Sequence, residues 1–190
     1  PMLGAAGLVP PKPGYLQGLR KLADGCGGLL IFDEIVTFRL DRGGMQAMSG
    51  VEPDLTTLGK IIGGGFGIAA FGGKKEIMAQ FDPAHPKAQY HAGTFNGNNI
   101  AVAAGLAAME MYDQPAIDRV NELGDRLRQG FDRALKRAEI NGQTTGIGSL
   151  VGIHFRGGEI ANARDVKAGL ASAGEIPKLV HLEMINRGMY

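Results

Sequence analysis

Apolar positions along the chain change their spacing several times, and each change marks an element. Leu16, Leu19, Leu22 and Ala23 recur at roughly helical spacing in YLQGLRKLADGCG, and glycine ends the run. GLLIFDE, residues 28–34, is a short continuous apolar run closed by two carboxylates. That is how a strand buried on both faces reads, with polar residues at its carboxyl end. FRLDRGGMQAMSGVEPD reads as a loop holding one helical turn. DLTTLGK predicts a short strand, GIAAFGG a second one after a glycine loop, and KKEIMAQF a short helix. A long polar loop over 82–99 leads into an alanine-rich helix over 99–112, small enough on one face to pack closely. The helix predicted over 115–138 carries Val120, Leu123, Leu127, Phe131 and Leu135 on one stripe.

After about residue 140 the period switches to two, with a strand turning back into GSLVGIHF, and residues 161–190 are helical again. Helices and strands alternate through the first part, which predicts an α/β fold with a mostly parallel or mixed sheet. The change of period predicts a division into 1–140 and a smaller lobe, 141–190.

Composition narrows the choice only a little. The 190 residues are 44% hydrophobic and 21% charged, ordinary for a globular chain. A formal net charge of +1 makes no electrostatic case for nucleic acid or an anionic membrane. No run approaches the roughly 20 apolar residues of a membrane span. The lone Cys26 cannot form an internal disulfide, in keeping with a reducing, cytoplasmic compartment. His85, His91, His154 and His181 are scattered and Cys26 has no partner, so no metal site is expected. Glycine is the unusual quantity, 31 residues of 190, and it gathers at turns and in two loops without repeating. The chain begins at Pro1 as if in mid-motif, which suggests a fragment of a longer protein.

Three features carry candidate chemistry: Asp33 at the end of the first strand, Lys60 before a glycine loop, and Thr94 in HAGTFNGNN. Each alone has a plain reading, as a solvated loop start, a surface lysine and a turn threonine. Together they could open on one crevice beyond the carboxyl ends of strands, where open α/β sheets bind ligands. A carboxylate, an amine and a Gly-Thr loop form the set that pyridoxal phosphate requires. The lysine meets its aldehyde, the carboxylate its pyridinium nitrogen, and the loop its phosphate. Lys60 lies among Leu58, Ile61 and Ile62, which predicts a buried amine of lowered basicity. A phosphate-binding P-loop is excluded because no Ser or Thr follows Lys60. Gly65, Gly67 and Ala70 match G-x-G-x-x-A, but no long helix follows and the ribose-binding acid is missing.

LLIFDEIVTFRL, GVEPDLTTLGKIIGGGFGIAAFGGKKEIM and HAGTFNGNNIAVAAG resemble the class III aminotransferases of the fold-type I pyridoxal-phosphate enzymes. The resemblance runs from Pro1 to about Phe155 and is strongest to the branch of glutamate-1-semialdehyde aminomutase and the β-phenylalanine-type aminotransferases. It implies a large-domain sheet with flanking helices in 1–140 and the start of a small α+β domain in 141–190. It implies that Lys60 is the Schiff-base lysine, Asp33 the pyridinium partner and Ile35 the residue pressed on the ring. Gly93 and Thr94 would bind the cofactor phosphate of the neighbouring subunit, so a homodimer is implied. Many ω-aminotransferases carry Gln where Val36 stands, and the aminomutase-like branch is apolar there. Phe95 and Asn96 lean towards the β-amino acid aminotransferases. Arg39 stands near the loop where a substrate carboxylate would bind. The activity implied is two-stage transfer of an amino group from an amino acid to a keto acid or aldehyde. The alternatives are an intramolecular aminomutase and a catalytically inactive piece that keeps the fold and dimer surface.

Overall fold

Helix and strand fall close to where the apolar spacing changes. The computed structural model describes residues 1–189. Among these the elements run α1 (Tyr15–Cys26), β1 (Ile31–Asp33), α2 (Gly44–Ser49), β2 (Leu55–Gly59), β3 (Ala69–Gly73), α3 (Lys75–Met78), α4 (Asn99–Met111) and α5 (Gln114–Arg137). Then come β4 (Gln143–Ile147), β5 (Leu150–His154), α6 (Ala163–Ser172) and α7 (Ile176–Asn186). Where a loop with a single helical turn is expected after β1, there is a 3-10 turn at Phe38–Leu40 and then α2. Buried Leu40 and Met45 give that segment its own anchors.

The first packing unit comprises Pro1 and Pro13–Arg119. Its sheet has the order β1-β2-β3, parallel between β1 and β2 and antiparallel between β2 and β3, so it is mixed. The parallel pair needs a crossover, which 34–54 provides, whereas the antiparallel pair closes through the tight 60–68 turn. Phe32, Leu16, Leu40, Val51 and Ile117 are buried in this unit. Asp54 fastens the strand ends: its Oδ2 accepts from Arg20 Nη1 and from the Leu30 amide, both at 2.7 Å. Its Oδ1 meets Lys74 Nζ at 2.6 Å. The Lys74 ammonium, the Leu30 amide and the Arg20 guanidinium together hold the Asp54 carboxyl well below the usual carboxylate range.

The expectation of a first strand buried on both faces is corrected. β1 alternates, with Phe32 buried and Ile31 and Asp33 exposed. Adjacent side chains of a strand leave on opposite faces, and only the Phe32 face is covered by described residues. The stripe on α5 is likewise uneven: Leu135 is buried, while Leu123 and Leu127 are half exposed.

The second unit comprises Met2–Lys12 and the chain from Val120 onward. The packing boundary thus falls inside α5, earlier than the change of period at 140. The reason is polar: α5 grips the β4–β5 turn through Arg128 Nη1 to the Gly148 carbonyl at 2.6 Å. Asn121 Oδ1 accepts from the Ser149 amide at 2.9 Å. A methyl group on Gly124 would lie 2.1 Å from the Gly148 oxygen, so only glycine permits this approach. Met2–Lys12 joins the unit because the Gly7 carbonyl accepts from Thr145 Oγ1 at 2.8 Å and lies 3.0 Å from His154 Nε2. Val9, Ile160 and Val166 form its small core. No helix among the described residues is long and apolar enough to cross a membrane. No group of three or more His, Cys, Asp or Glu among them could hold a metal ion.

Candidate active site

Asp33 ends β1, and its exposed carboxylate is set by its own turn. Oδ1 accepts from the Ile35 amide at 3.1 Å, the local bond that aspartate makes where a strand turns away. Glu34 points to the opposite face and is wholly buried. It accepts from Thr37 Oγ1 at 2.5 Å and from the Met45 and Gln46 amides at 2.9 Å each. Gly44, at φ 66°, leaves room for it, since a methyl there would lie 2.8 Å from Glu34 Oε1. The loop after Asp33 is therefore pinned from behind. Ile35 is half buried beside β2, its two Cγ atoms 3.5 Å from where a Cβ on Gly59 would stand.

Lys60 follows β2 directly and opens the 3-10 turn Lys60–Gly63. Because β1 and β2 run parallel, with Asp33 opposite Thr57, Asp33 and Lys60 emerge at the same end of the sheet. The expected burial of Lys60 does not occur. The residue is exposed, and its apolar neighbours Leu58, Ile61 and Ile62 are the half-buried ones. Periodicity could not foretell this, because the chain leaves the sheet at Gly59 and Lys60 takes a left-handed backbone, φ 51°.

The predicted close-packing face of α4 meets this turn. A Cβ on Gly105 would lie 2.2 Å from the Ile62 oxygen, and one on Gly64 2.4 Å from the Ala104 oxygen.

Gly93 and Thr94 lie exposed in the loop before α4. No hydrogen bond among the described residues joins them to Asp33 or Lys60. Their loop is tied to the sheet by His91, whose ring stands edge-on to Phe71 with centroids 5.2 Å apart. Phe81 completes the cluster at 5.1 Å from Phe71. Asp33 pairs with Thr57 and Thr57 with Phe71, and residues paired across a sheet share a face. The root of the Gly93–Thr94 loop therefore sits on the Asp33 face. The Asn98 side chain accepts from the Ile100 and Ala101 amides and starts α4. Sequence reasoning passed over His91 and Glu34. A lone histidine carries no spacing signal, and strand alternation puts Glu34 on the Phe32 face without saying that this face is the covered one.

The model of the family described as aminotransferase class III matches residues 1–185. The chain belongs to the class III aminotransferase family. This class III chain is 42% identical to an ω-transaminase from Sphaerobacter thermophilus, with TM-score 0.88, over 97% of its own length and 42% of that chain. It is 39% identical to a β-phenylalanine aminotransferase from Variovorax paradoxus, with TM-score 0.92, over 100% of its length and 44% of that chain. A glutamate-1-semialdehyde aminomutase from Pseudomonas aeruginosa, solved in complex with PMP, is 28% identical, with TM-score 0.87, over 100% of this chain and 43% of that one. The chain thus spans less than half the length of these solved proteins. Family enzymes depend on pyridoxal phosphate, and the donor types fit that group: a carboxylate and an amine emerge together at one sheet end, and an exposed Gly-Thr loop offers an amide and a hydroxyl to a phosphate.

Proposed function

We propose that this chain carries the reacting lysine of a pyridoxal-phosphate-dependent class III aminotransferase. The enzyme moves an amino group between an amino acid, β-amino acids among the candidates, and a keto acid. The observation that carries the reading is the emergence of Asp33 and Lys60 together at the carboxyl ends of two adjacent parallel strands. Residues 1–140 are read as the later part of the large domain and 141–190, with the hairpin, α6 and α7, as the start of the small domain.

Pyridoxal phosphate, when bound, supplies an aldehyde and an aromatic ring that accepts the electron pair released at the substrate carbon. Asp33 holds a proton on the ring nitrogen, a charge-assisted hydrogen bond worth about 1.5–3 kcal/mol. Ile35 would bear on one ring face and orient it. Lys60 would be the residue that holds the cofactor through its aldehyde, and its free amine would be the group that moves a proton to and from the substrate carbon. The Gly93 amide and Thr94 hydroxyl would donate to the phosphate of a cofactor bound by a second copy of the chain. Exposed Tyr90, Phe95, Ile100 and Leu106 beside that loop support such a dimer surface. A cytoplasmic location is part of the reading, supported by the single free Cys26. The higher identities to the two transaminases support transfer. Val36, which cannot hydrogen-bond a cofactor hydroxyl, is the observation favouring an aminomutase.

The test is absorbance titration with pyridoxal phosphate, then borohydride reduction and peptide mapping. We expect a cofactor band, the reduced label on the Lys60 peptide, and loss of both in Lys60→Ala. Label spread over surface lysines without a band overturns the reading. A band without amino transfer between any donor and acceptor leaves the aminomutase to be assayed on its own substrate.

A further inference from the structure

We propose that Gly105 is a positioning residue for Lys60. The contact of α4 with the turn Lys60–Gly63 holds Lys60 in its left-handed backbone conformation and so fixes the direction in which its side chain leaves the sheet. Lys60 has φ 51°, one of three non-glycine residues described with positive φ, together with Leu8 and Glu139. Such a conformation is unfavourable for any residue with a Cβ and persists only where its surroundings over-determine it. Here α4 does so through the turn that follows Lys60. The Ile62 carbonyl fills the space where a Gly105 side chain would begin, and the Ala104 carbonyl fills that of Gly64. Gly64 and Gly65 themselves take φ 57° and 97°, which lets the turn lie flat on the helix. Relaxing Lys60 would swing the 61–64 peptide groups, and α4 stands in the way.

The strain can be read without cofactor, so it does not depend on the proposed function. Lys60→Gly and Lys60→Ala both remove the amine, but only glycine takes a left-handed φ freely. We expect the thermal midpoint of Lys60→Gly to exceed that of Lys60→Ala. We expect the gap to narrow or close when Gly105→Ala is added to each. The absence of a gap overturns the proposal, as does a gap that Gly105→Ala leaves unchanged. If Gly105→Ala does not fold, Ala108→Gly takes its place. Its methyl faces the Gly64 position, 3.1 Å from where a Cβ there would begin, so removing it opens space beside the same contact and should also narrow the gap.

The consequence for the amine rests on the reading of Lys60 given above. With Lys60 intact, Gly105→Ala should shift the pH midpoint of the cofactor absorbance band by about half a unit or more. Gly130→Ala, in α5 where a methyl meets nothing within 4 Å, should leave that midpoint in place. An unmoved midpoint beside a closed gap overturns the positioning role. The absence of any band in the unsubstituted protein instead overturns the proposed function, and the midpoint gap alone then decides whether α4 holds Lys60.

Discussion

Glu34 shows how much a single residue can organise without touching substrate. It is wholly buried and receives three hydrogen bonds, two from the amides that start α2 and one from Thr37. Replacing one acceptor oxygen of a buried carboxyl with a donor leaves a buried N–H unsatisfied, which costs more than the bond itself contributes. In Glu34→Gln the new amide NH2 would face a backbone N–H in either orientation, that of Gln46 at the Oε1 position or that of Met45 at the Oε2 position. We expect Glu34→Gln to lower stability by about 3 kcal/mol in urea unfolding. A loss under about 1 kcal/mol would mean the loop behind Asp33 is held by other contacts.

Among the elements, α5 is divided along its length. Its Leu135 end is buried, while Leu123 and Leu127 line an open apolar groove with Phe131 and Ala134. Removing buried methyl groups costs their transfer energy and leaves a cavity, and an exposed leucine leaves none. Leu135→Ala should therefore cost about 3 kcal/mol and Leu127→Ala under about 1 kcal/mol, in chemical unfolding of the same preparation. Equal losses would show that Leu127 is covered in solution. The same scale accounts for α4: its alanines and Gly105 allow backbone to meet the Lys60 turn, and its Ile100, Leu106 and Met111 stay exposed.

For the molecule as a whole, the acid limit of the first unit turns on Asp54. Its folded pKa lies below the unfolded value, so its stabilisation is fully present above about pH 4. That stabilisation fades as pH falls towards the folded value. Asp54→Asn should lower the melting temperature at pH 7, with a constant difference from the unsubstituted protein down to about pH 5. Below about pH 4 the difference should shrink. A difference that grows on acidification would show that the three donors do not depend on the Asp54 charge.

The sequence by itself determined the order and type of the elements outside 34–54, because the spacing of apolar side chains is a local property of strand and helix. It also carried the family, since Asp33, Lys60 and Gly93–Thr94 stand within distinctive runs of residues. It could not decide which face of β1 is covered, because IFDE reads as one apolar-to-acidic run and only packing separates Phe32 and Glu34 from Asp33. Nor could it decide the exposure of Lys60, since a lysine between apolar residues looks buried until the chain turns left-handed at its own Cα. The boundary inside α5 was equally hidden: a helix is continuous in sequence, and the polar grip of Asn121 and Arg128 on the β4–β5 turn exists only once the hairpin has folded against it.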